Sequence, residues 1–394
     1  MQEVIIASAA RTPFGLYMGS LKDQRAQDLA AASEKEAINR AGIDSALFDM
    51  IVFGQAMQSS FPANVGRHGW LLAGLDQDVC GFAVNALCAG GLQSMISGFN
   101  KILAGEYKRV IAGGIETNSQ SQYFINHPRY QFGDGNTTFH DSKKEVATNA
   151  QPNNIYGELT PATLADIVAE NYGYSRSALD EYTLESKARA AAAVKNGNMK
   201  EAIVGIVKKV KKAEVIVDTD DGAKAASIEK LMSLAAANEN GTATSANVAP
   251  LADGSASLVM MGADQAKELG CNSMAKVSGY GIAAGNPKLA ELTTVKSIEK
   301  AVKSAGIAVK DLDYIDIHEM SAAFSLAVAD KLGADAAGKI NVDGGSLAYG
   351  HAGAATGAAM AVNMVYRLQC SGAKYGLVNI AAYGGQSLSV VIAR

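Results

Sequence analysis

A weak internal repeat constrains the fold of this 394-residue chain more than any other feature. In the first half, Cys88 begins a helix-like segment, and the pair Gly113-Gly114 follows it 25 positions later. In the second half, His318 begins a similar segment, and Gly344-Gly345 follows it 26 positions later. Because repetition at this scale is typical of duplicated structural units, the sequence predicts a core built from two similar halves.

Segments with strand and helix character alternate near the N-terminus. Residues 4–10 and 50–54 are short apolar runs, which favour strands, and residues 26–41 between them have a helical pattern. A further apolar run, Phe82-Ala83-Val84, precedes Cys88. Such alternation predicts an α/β layered core with parallel strands.

The spacing of later glycines indicates an insertion in the first half. Gly113 and Gly254 are 141 positions apart, whereas Gly344 and Gly385 are 41 apart. The difference leaves about 100 additional residues in the first half, which is too many for a loop in a compact domain. We therefore expect four parts: residues 1–118 as the N-terminal core half, 119–248 as an inserted loop domain, 249–271 as the returning strand and helix of the first half, and 272–394 as the C-terminal core half.

Composition excludes several classes of protein. The 35 basic and 39 acidic residues give a net charge of −4, so we expect no nucleic-acid partner. No run of about 18 apolar residues predicts a membrane span, and no basic segment precedes the apolar start at Val4. We therefore expect no signal peptide, no membrane association and a cytoplasmic location. A basic cluster is interpreted as a solvated strand face, with proximity to a phosphate-bearing ligand as the alternative: Lys208, Lys209, Lys211 and Lys212.

The four cysteines are spaced neither for a disulfide framework nor for a zinc site. They contain no C-x-x-C pair, so we expect no metal site: Cys80, Cys88, Cys271 and Cys370. In a reducing compartment, a functional cysteine in this chain would therefore act through its reactivity.

Cys88 is the candidate nucleophile. It lies in a stretch of small residues that joins the apolar run at 82–84 to the helix-like segment 92–103. At a helix start, unpaired N–H groups and the helix dipole favour a thiolate, and small neighbours let a substrate carbonyl approach the sulfur. The alternative is that Cys88 is only a small buried apolar residue.

Two of the five histidines lie in settings that suit a functional role. His351 lies in the glycine- and alanine-rich stretch 350–357, which permits close backbone approach and leads into an apolar helix. His318 follows the strand-like run 314–317, at the carboxyl end where open α/β sheets bind ligands. Each could instead be a hydrogen-bonded structural residue. The other three are interpreted as structural or surface residues: His68, His127 and His140.

The chain resembles the thiolase family from end to end. The motifs that carry the resemblance are Arg11-Thr12-Pro13-Phe14-Gly15, Val52-Phe53-Gly54-Gln55, the Cys88 segment, Gly113-Gly114-Ile115-Glu116, Asn247 with Asp253-Gly254, His318-Glu319 and Gly350-His351. The resemblance implies a duplicated, five-layered α/β/α/β/α thiolase fold with an inserted loop domain, assembled as a homodimer or homotetramer. It also implies an acyltransferase whose small-molecule partner is an acyl-CoA, used as substrate in acetyl-CoA or 3-ketoacyl-CoA condensation or thiolysis, with no tightly bound cofactor.

The resemblance further implies roles for individual residues. Cys88 would accept the acyl group as a thioester, and His351 would remove its proton, because an imidazole titrates near neutrality. His318 would help to hold the thioester oxygen as charge develops. The backbone N–H groups of Cys88 and Tyr383, with the adjacent Gly384, would form a second oxyanion site. Asn247, Ala249 and Met320 are the expected substrate contacts.

The chain departs from the family pattern at several positions. Ala381 stands where thiolases usually carry a second cysteine, the acid/base for the α-carbon, and an alanine can neither take nor give a proton. A related group supplies a substitute cysteine at the position that is Met320 here. Near the CoA site, Ala249-Pro250 replaces the usual Ser-Gly pair, and Thr160-Pro161 lies near the position of a His-Met pair.

Three hypotheses follow from these departures. The first is a thiolase whose base is a different group, or whose cysteine was replaced to trap an intermediate. The second is a decarboxylating condensing enzyme similar to the β-ketoacyl synthases, which would use Cys88, His318 and His351 and would need no α-proton base. The third is a non-catalytic acyl-binding or scaffolding partner.

Overall fold

The computed structural model describes residues 3–126, 136–211 and 213–394. His127, interpreted above as structural, and Lys212 of the basic cluster lie outside these residues. Before the insertion the strands are β1 (Val4–Arg11), β2 (Gly15–Leu16), β3 (Met50–Gly54), β4 (Cys80–Val84) and β5 (Arg109–Thr117). The helices of this part are α1 (Ala26–Ala41), α2 (Val65–Leu72) and α3 (Gly90–Leu103).

The chain between β5 and the next core strand holds two pairs of short antiparallel strands and several helices. The strand pairs are β6 (Tyr123–Phe124) with β7 (His140–Asp141) and the hairpin of β8 (Ile206–Val210) with β9 (Ala213–Val217). The helices are α4 (Ser142–Thr148), α5 (Asn153–Tyr156), α6 (Pro161–Tyr172), α7 (Arg176–Asn196) and α8 (Ile228–Met232). Lys209 and Lys211 are exposed at the β8–β9 hairpin, whereas Lys208 pairs with Asp23 at 2.7 Å.

The remaining elements complete the two halves of the core. The first half closes with β10 (Ala252–Gly262) and α9 (Ala263–Leu269). The second half contains β11 (Ala275–Ala284), α10 (Ala290–Ser304), β12 (Tyr314–Ile317), α11 (Ala322–Leu332), α12 (Ser346–Tyr349), α13 (Ala355–Ser371), β13 (Tyr375–Ala382) and β14 (Gln386–Ala393). In the part of the chain that the structure describes, none of the helices is both long enough and apolar enough to cross a bilayer.

The ten core strands follow the same order in both halves. The first half runs β1-β10-β5-β3-β4 and the second runs β11-β14-β13-β12, with β2 added beside β10. The two halves join where β1 pairs with β11 through Ile5 with Lys276 and Ile6 with Ala275. The duplication expected from the sequence is therefore confirmed at the level of topology.

The helices form three layers around the two halves of the sheet. Helices α3 and α13 pack on each other between the halves, α1 and α2 cover the outer face of the first half, and α10 with α11 covers the outer face of the second. Strands β1 and β10 are buried along their whole length, as expected for strands covered on both faces. The expected five-layered α/β arrangement is confirmed.

A buried serine network is repeated in the two halves. In the first half, Ser33 of α1 contacts the hydroxyls of two serines of β10, Ser255 and Ser257, each at 2.8 Å. In the second half, Ser297 of α10 contacts two serines of β14 in the same way, at 3.0 Å for Ser387 and 2.8 Å for Ser389. The duplication therefore extends from topology to individual side chains.

The register of the repeat that the glycines suggested is wrong. In the fold, the counterpart of α3 is α13 rather than the helix after His318. Gly113-Gly114 lies inside β5, whereas Gly344-Gly345 lies in a turn before α12. The pairs are glycine for different reasons, since a Cβ at Gly114 would lie 2.5 Å from the Ala354 carbonyl oxygen and one at Gly345 would lie 2.5 Å from the Glu319 carboxyl carbon.

Because of this wrong register, the glycine spacing also underestimated the length of the insertion. Residues 118–251 connect β5 to β10, whereas residues 383–385 connect the equivalent strands β13 and β14. The excess is therefore larger than the 100 residues expected from the glycine spacing.

Candidate active site

Cys88 lies in a tight turn between β4 and α3. The preceding residue, Leu87, has a left-handed backbone with φ of +50°, a strained conformation for a bulky side chain. The turn is held by the Leu87 N–H, which donates to the side-chain oxygen of Asn85 at 3.0 Å, and by the Gly90 N–H, which donates to the Leu87 carbonyl at 3.0 Å. This turn leaves Cys88 6% exposed, two residues before the first residue of α3.

His351 approaches Cys88 from the second half of the core. Its Nε2 lies 3.1 Å from the Cys88 Sγ, and its Nδ1 lies 2.8 Å from the Thr356 hydroxyl. The backbone of His351 is fixed as well, because its N–H donates to the Pro250 carbonyl at 2.7 Å and its carbonyl accepts from the Ala252 N–H at 2.9 Å. The imidazole is therefore held at both nitrogens and through the main chain.

Glycines let the two halves approach at this point. The Gly91 N–H at the start of α3 donates to the Ala354 carbonyl at 3.1 Å, just before α13 begins. A Cβ at Gly91 would lie 2.4 Å from that carbonyl oxygen, which no side chain could occupy. Because Gly91 has no side chain, the Cys88 turn can pack against the segment that carries His351.

His318 completes a row of three side chains. It directly follows β12, its Nδ1 lies 2.7 Å from the Ser346 hydroxyl, and its ring stacks on the ring of His351 with centroids 4.2 Å apart. Its N–H donates to the Asn379 carbonyl of β13 at 3.0 Å. The structure thus brings together Cys88, His351 and His318, which lie far apart in the sequence.

Burial keeps all three groups neutral at rest. Burial, and then the nearby Glu116, raise the pKa of the Cys88 thiol to about 12, although the backbone N–H groups of Cys88 and Tyr383 act to lower it. Burial lowers the pKa of His351 to about 4, and burial followed by His351 lowers the pKa of His318 well below its ordinary value. The expected thiolate at the helix start is therefore not the resting state, because desolvation outweighs the two N–H groups.

These three side chains open into one cavity of about 580 Å³. Three further predicted site residues also line it: Ala249, Met320 and Tyr383. Ala249 and Met320 are joined by a hydrogen bond of 3.1 Å from the Ala249 N–H to the Met320 carbonyl. Burial, and then the nearby Cys88, raise the pKa of the Tyr383 phenol.

The other predicted site residues do not line this cavity. The buried side chain of Asn247 is engaged within the protein, where its oxygen accepts from the Thr244 N–H at 2.7 Å and its nitrogen donates to the Thr242 carbonyl at 3.0 Å. Gly384 also lies outside the lining, in the turn between β13 and β14. Ala381 is fully buried in an apolar cluster that includes Phe324 and the cavity residue Met320.

Glu116 is a cavity residue whose functional potential the sequence did not reveal. It lies near the end of β5, is 1% exposed, and lines the cavity together with Cys88. Its carboxylate accepts backbone N–H bonds from Ala56 at 2.9 Å and from Met57 and Ala354, each at 3.3 Å. Burial nevertheless raises its pKa to about 7. Its signal in the sequence is an acidic residue at the end of an otherwise apolar and glycine-rich strand.

The polar groups of the cavity include a thiol paired with an imidazole. Within residues 3–126, 136–211 and 213–394, no group of three or more His, Cys, Asp or Glu side chains is placed to hold one. A buried thiol with an imidazole at hydrogen-bond distance is instead the arrangement of a covalent nucleophile and its base.

Family models and curated relatives match the whole chain. A model of the thiolase N-terminal domain matches residues 4–264, and a model of the thiolase C-terminal domain matches residues 271–394. An acetyl-CoA acetyltransferase of Escherichia coli (strain K12) is 34% identical over 399 residues, with 100% of each chain covered. Another from Syntrophomonas wolfei is 32% identical over 400 residues, with 99% of each chain covered.

Solved structures with the same fold are equally complete matches. The Bacillus anthracis acetyl-CoA acetyltransferase superposes with a TM-score of 0.95 at 30% identity, covering 100% of this chain and 99% of that one. The human mitochondrial 3-ketoacyl-CoA thiolase in complex with CoA has a TM-score of 0.91 at 29% identity, covering 100% and 98%. The resemblance drawn from the motifs is confirmed, and the chain belongs to the thiolase family.

Proposed function

We propose that this protein is a thiolase-type acyltransferase that acts on CoA thioesters and carries the acyl group on Cys88. The observation that carries the proposal is the 3.1 Å contact between the Cys88 Sγ and the His351 Nε2 in a buried cavity. Relatives named acetyl-CoA acetyltransferase and a solved thiolase in complex with CoA support CoA as the thiol carrier.

In the first half-reaction, Cys88 attacks the carbonyl carbon of an acyl-CoA. His351 takes the thiol proton on Nε2 as the sulfur attacks, and the hydrogen on Nδ1 is held by the Thr356 hydroxyl at 2.8 Å. Charge that develops on the carbonyl oxygen is stabilised by His318 or by the backbone N–H groups of Cys88 and Tyr383. CoA leaves as its thiol, with the proton returned by His351, and Cys88 keeps the acyl group as a thioester.

In the second half-reaction, the acyl group moves from Cys88 to the α-carbon of a second acyl-CoA. Thiolysis is the same sequence in reverse, so one active site serves both directions. The cavity, lined by Ala249 and Met320 beside the reactive groups, is the proposed substrate site.

The two alternative hypotheses have no support in the comparisons. The relatives described above are named acetyltransferases and a thiolase, rather than decarboxylating synthases or scaffolding proteins. The decarboxylating route retains a distinct outcome in the experiment below, because it would condense only with a malonyl-type donor.

The homodimer or homotetramer, the division into four parts and the cytoplasmic location remain predictions. One structural feature supports self-association, since β4 is the last strand of the first half and its outer edge pairs with no other strand among the described residues. Large apolar side chains are exposed on β4 and on the adjacent α2, namely Phe82, Leu71 and Leu72. Light scattering after size-exclusion chromatography would measure the assembly.

Acetylation of the protein tests the nucleophile. After incubation with acetyl-CoA, intact-mass measurement should detect one acetyl adduct in the wild type and none in Cys88→Ser. Cys370→Ser is the matched control, because Cys370 is an exposed cysteine far from the cavity lining. An adduct that survives in Cys88→Ser would reject the assignment.

Thiolysis of acetoacetyl-CoA by free CoA then tests the reaction. Formation of acetyl-CoA supports the thiolase activity. Failure to cleave, combined with condensation only from a malonyl donor, would favour the decarboxylating alternative.

A further inference from the structure

The proposed reaction needs a group that takes a proton from the α-carbon of the second acyl-CoA. Ala381 cannot do so, and it lies in an apolar cluster rather than on the cavity wall. The base must therefore come from another titratable side chain that lines the cavity. This inference rests on the proposed function.

The titratable groups of the solvent-accessible part of the cavity are poorly suited. Lys144 and Glu158 are exposed, and Lys143 is close to Asp141 at 3.6 Å. Glu145 contacts His140 at 3.0 Å, and this contact lowers the pKa of its carboxyl group. An acid that ionises so readily is a weak base towards carbon.

Three inner groups are also committed or too weak. His351 is occupied with the Cys88 thiol, and His318 is held by the Ser346 hydroxyl at Nδ1 and stacked on His351, where the proposed reaction uses it for the carbonyl oxygen. The pKa of the Tyr383 phenol is raised by burial and by the Cys88 thiolate, so the phenol stays protonated. Tyr383 can therefore donate a hydrogen bond but does not accept a proton from carbon.

We propose that Glu116 is the acid/base at the α-carbon, taking the proton during condensation and returning it during thiolysis. Its carboxylate lines the same cavity as Cys88 and is fixed by three backbone N–H groups. One oxygen accepts from Ala56 and Ala354, whereas the other accepts only from Met57, at 3.3 Å. Because two carboxylate oxygens offer about four acceptor positions, one position remains for a substrate proton.

The surroundings of Glu116 are shaped to hold a carboxylate. Gly353, two residues after His351, has a left-handed backbone with φ of +43°. A Cβ at Gly353 would lie 2.4 Å from a carboxylate oxygen of Glu116, so only glycine leaves room for it. Since Ala354 donates to the same carboxylate, the segment that positions His351 also positions Glu116.

The electrostatics of the site support this role. Burial raises the pKa of Glu116 to about 7, against the opposing effect of its three N–H donors, and the nearby Asp253 raises it further. A group that is part protonated near neutral pH can both accept and donate a proton. Glu116 also raises the pKa of Cys88, so an ionised Glu116 and a Cys88 thiolate disfavour each other.

The condensation step is balanced as follows. The C–H bond of the acetyl-CoA methyl group breaks, its proton goes to the Glu116 carboxylate, and the electron pair forms an enolate. The enolate carbon attacks the carbonyl of acetyl-Cys88 and forms the new C–C bond, and the C–S bond to Cys88 then breaks. The departing thiolate takes one proton from solvent through His351, and Glu116 releases the proton it took from carbon to solvent, so the step is balanced.

Separation of acetylation from α-proton exchange tests this assignment. In D₂O, mass spectrometry measures acetyl-Cys88 formation and the exchange of acetyl-CoA methyl protons for deuterium. Glu116→Gln should retain acetylation within about threefold and lose exchange by about 100-fold or more, the usual contribution of a general base. Glu214→Gln, which removes an exposed carboxyl group on β9 outside the cavity lining, is the matched comparison and should retain exchange.

The ratio of exchange to acetylation decides the outcome. An unchanged ratio in Glu116→Gln, or an equal loss of exchange in Glu214→Gln, would overturn the assignment. If Glu116→Gln also impairs acetylation, Glu116→Asp keeps the carboxylate and is measured in the same way. A ratio lowered about tenfold or more in Glu116→Asp supports the acid/base role, whereas a parallel loss of both reactions means that Glu116 only holds the backbone in place.

The same experiment distinguishes this inference from the proposed function. A wild-type protein that forms acetyl-Cys88 but never exchanges the methyl protons overturns the role of Glu116 alone. A wild-type protein that forms no acetyl-Cys88 overturns the proposed function as well.

Discussion

The two inner helices, α3 and α13, occupy equivalent places in the duplicated core but prepare different chemistry. Before α3, a strained turn at Leu87 presents the Cys88 thiol near two backbone N–H groups. Before α13, the segment with Gly353 presents His351, which is fixed by its own main chain and by Thr356. Equivalent places of the duplicated core thus carry a thiol before one helix and an imidazole before the other, and these are the proposed nucleophile and base.

The serine networks beneath the outer helices differ much less between the two halves than these turns do. The serine networks around Ser33 and Ser297 have the same geometry in both halves, with each contact between 2.8 and 3.0 Å. Buried hydroxyls that satisfy one another are costly to change singly, because a lost partner leaves an unpaired polar group. The serine networks, which are alike in the two halves, therefore involve the outer helices, whereas the turns that differ precede the inner helices α3 and α13.

The largest effect should come from removing the imidazole of His351, the proposed base, which belongs to the second half of the core. We expect His351→Ala to slow acetylation of Cys88 by 10²- to 10⁴-fold, about the range for a general base, because the thiol would lose its proton acceptor. Rapid-quench intact-mass measurement gives the acetylation rate. An acetylation rate of His351→Ala within about threefold of the wild type would show that His351 is not the base. The difference between the two turns would then have no role in the reaction.

The buried histidine should also make stability depend on pH. Since the folded-state pKa of His351 is lowered from 6.5 to about 4, the unfolded chain binds the proton more readily between these values. Stability is therefore complete above pH 6.5, decreases as the pH falls, and has lost this contribution below about 4. From pH 7 to 5 we expect a loss of ~2 kcal/mol from this residue.

Urea unfolding at the two pH values checks this expectation. His351→Gln should have a smaller decrease than the wild type, by about that amount. His318 has a pKa lowered in the same direction, so part of the decrease should persist in the variant. An identical pH dependence in both proteins would contradict the assigned burial of a neutral His351.

A smaller effect should distinguish the hydroxyl partners of the two histidines. Thr356→Val removes the partner of the His351 Nδ1, and Ser346→Ala removes the partner of the His318 Nδ1. Loss of one buried hydrogen bond costs about 1–3 kcal/mol, so we expect Thr356→Val to slow acetylation by about tenfold. Ser346→Ala should slow acetylation less, because His318 does not contact the thiol. Equal effects would mean that both histidines act on the same step.

The smallest effects are expected in the repeated serine networks. Ser33→Ala and Ser297→Ala should each lower the free energy of unfolding by about 1–3 kcal/mol, since each leaves two buried hydroxyls short of a partner. Chemical unfolding of both variants, with acetylation measured in parallel, provides the comparison. A loss in one variant more than about twice that in the other would contradict the view that the scaffold halves are energetically alike.

The sequence predicted the layered α/β class and the duplication because strand and helix patterns are local. The spacing of the glycine pairs predicted the wrong register for the repeat, because such pairs occur for several structural reasons. Only tertiary contacts, such as the close approach of Gly114 to the Ala354 carbonyl, show which reason applies. Asn247 illustrates the same limit at the site: the resemblance implied a substrate contact, whereas the structure shows its side chain bonded to Thr242 and Thr244 and outside the cavity lining.

The sequence by itself determined the local chemistry of this protein: a cysteine at a helix start, one histidine at the end of a strand and another in a small-residue stretch, and an alanine in place of a second cysteine. Only the tertiary structure decided that residues 88 and 351, which are 263 positions apart, lie 3.1 Å from each other. It also decided that burial makes the thiol and the imidazoles neutral and that Glu116 faces them. The physical reason is that a side chain's identity is set locally, whereas distance and desolvation are set by how the two halves of the core pack together.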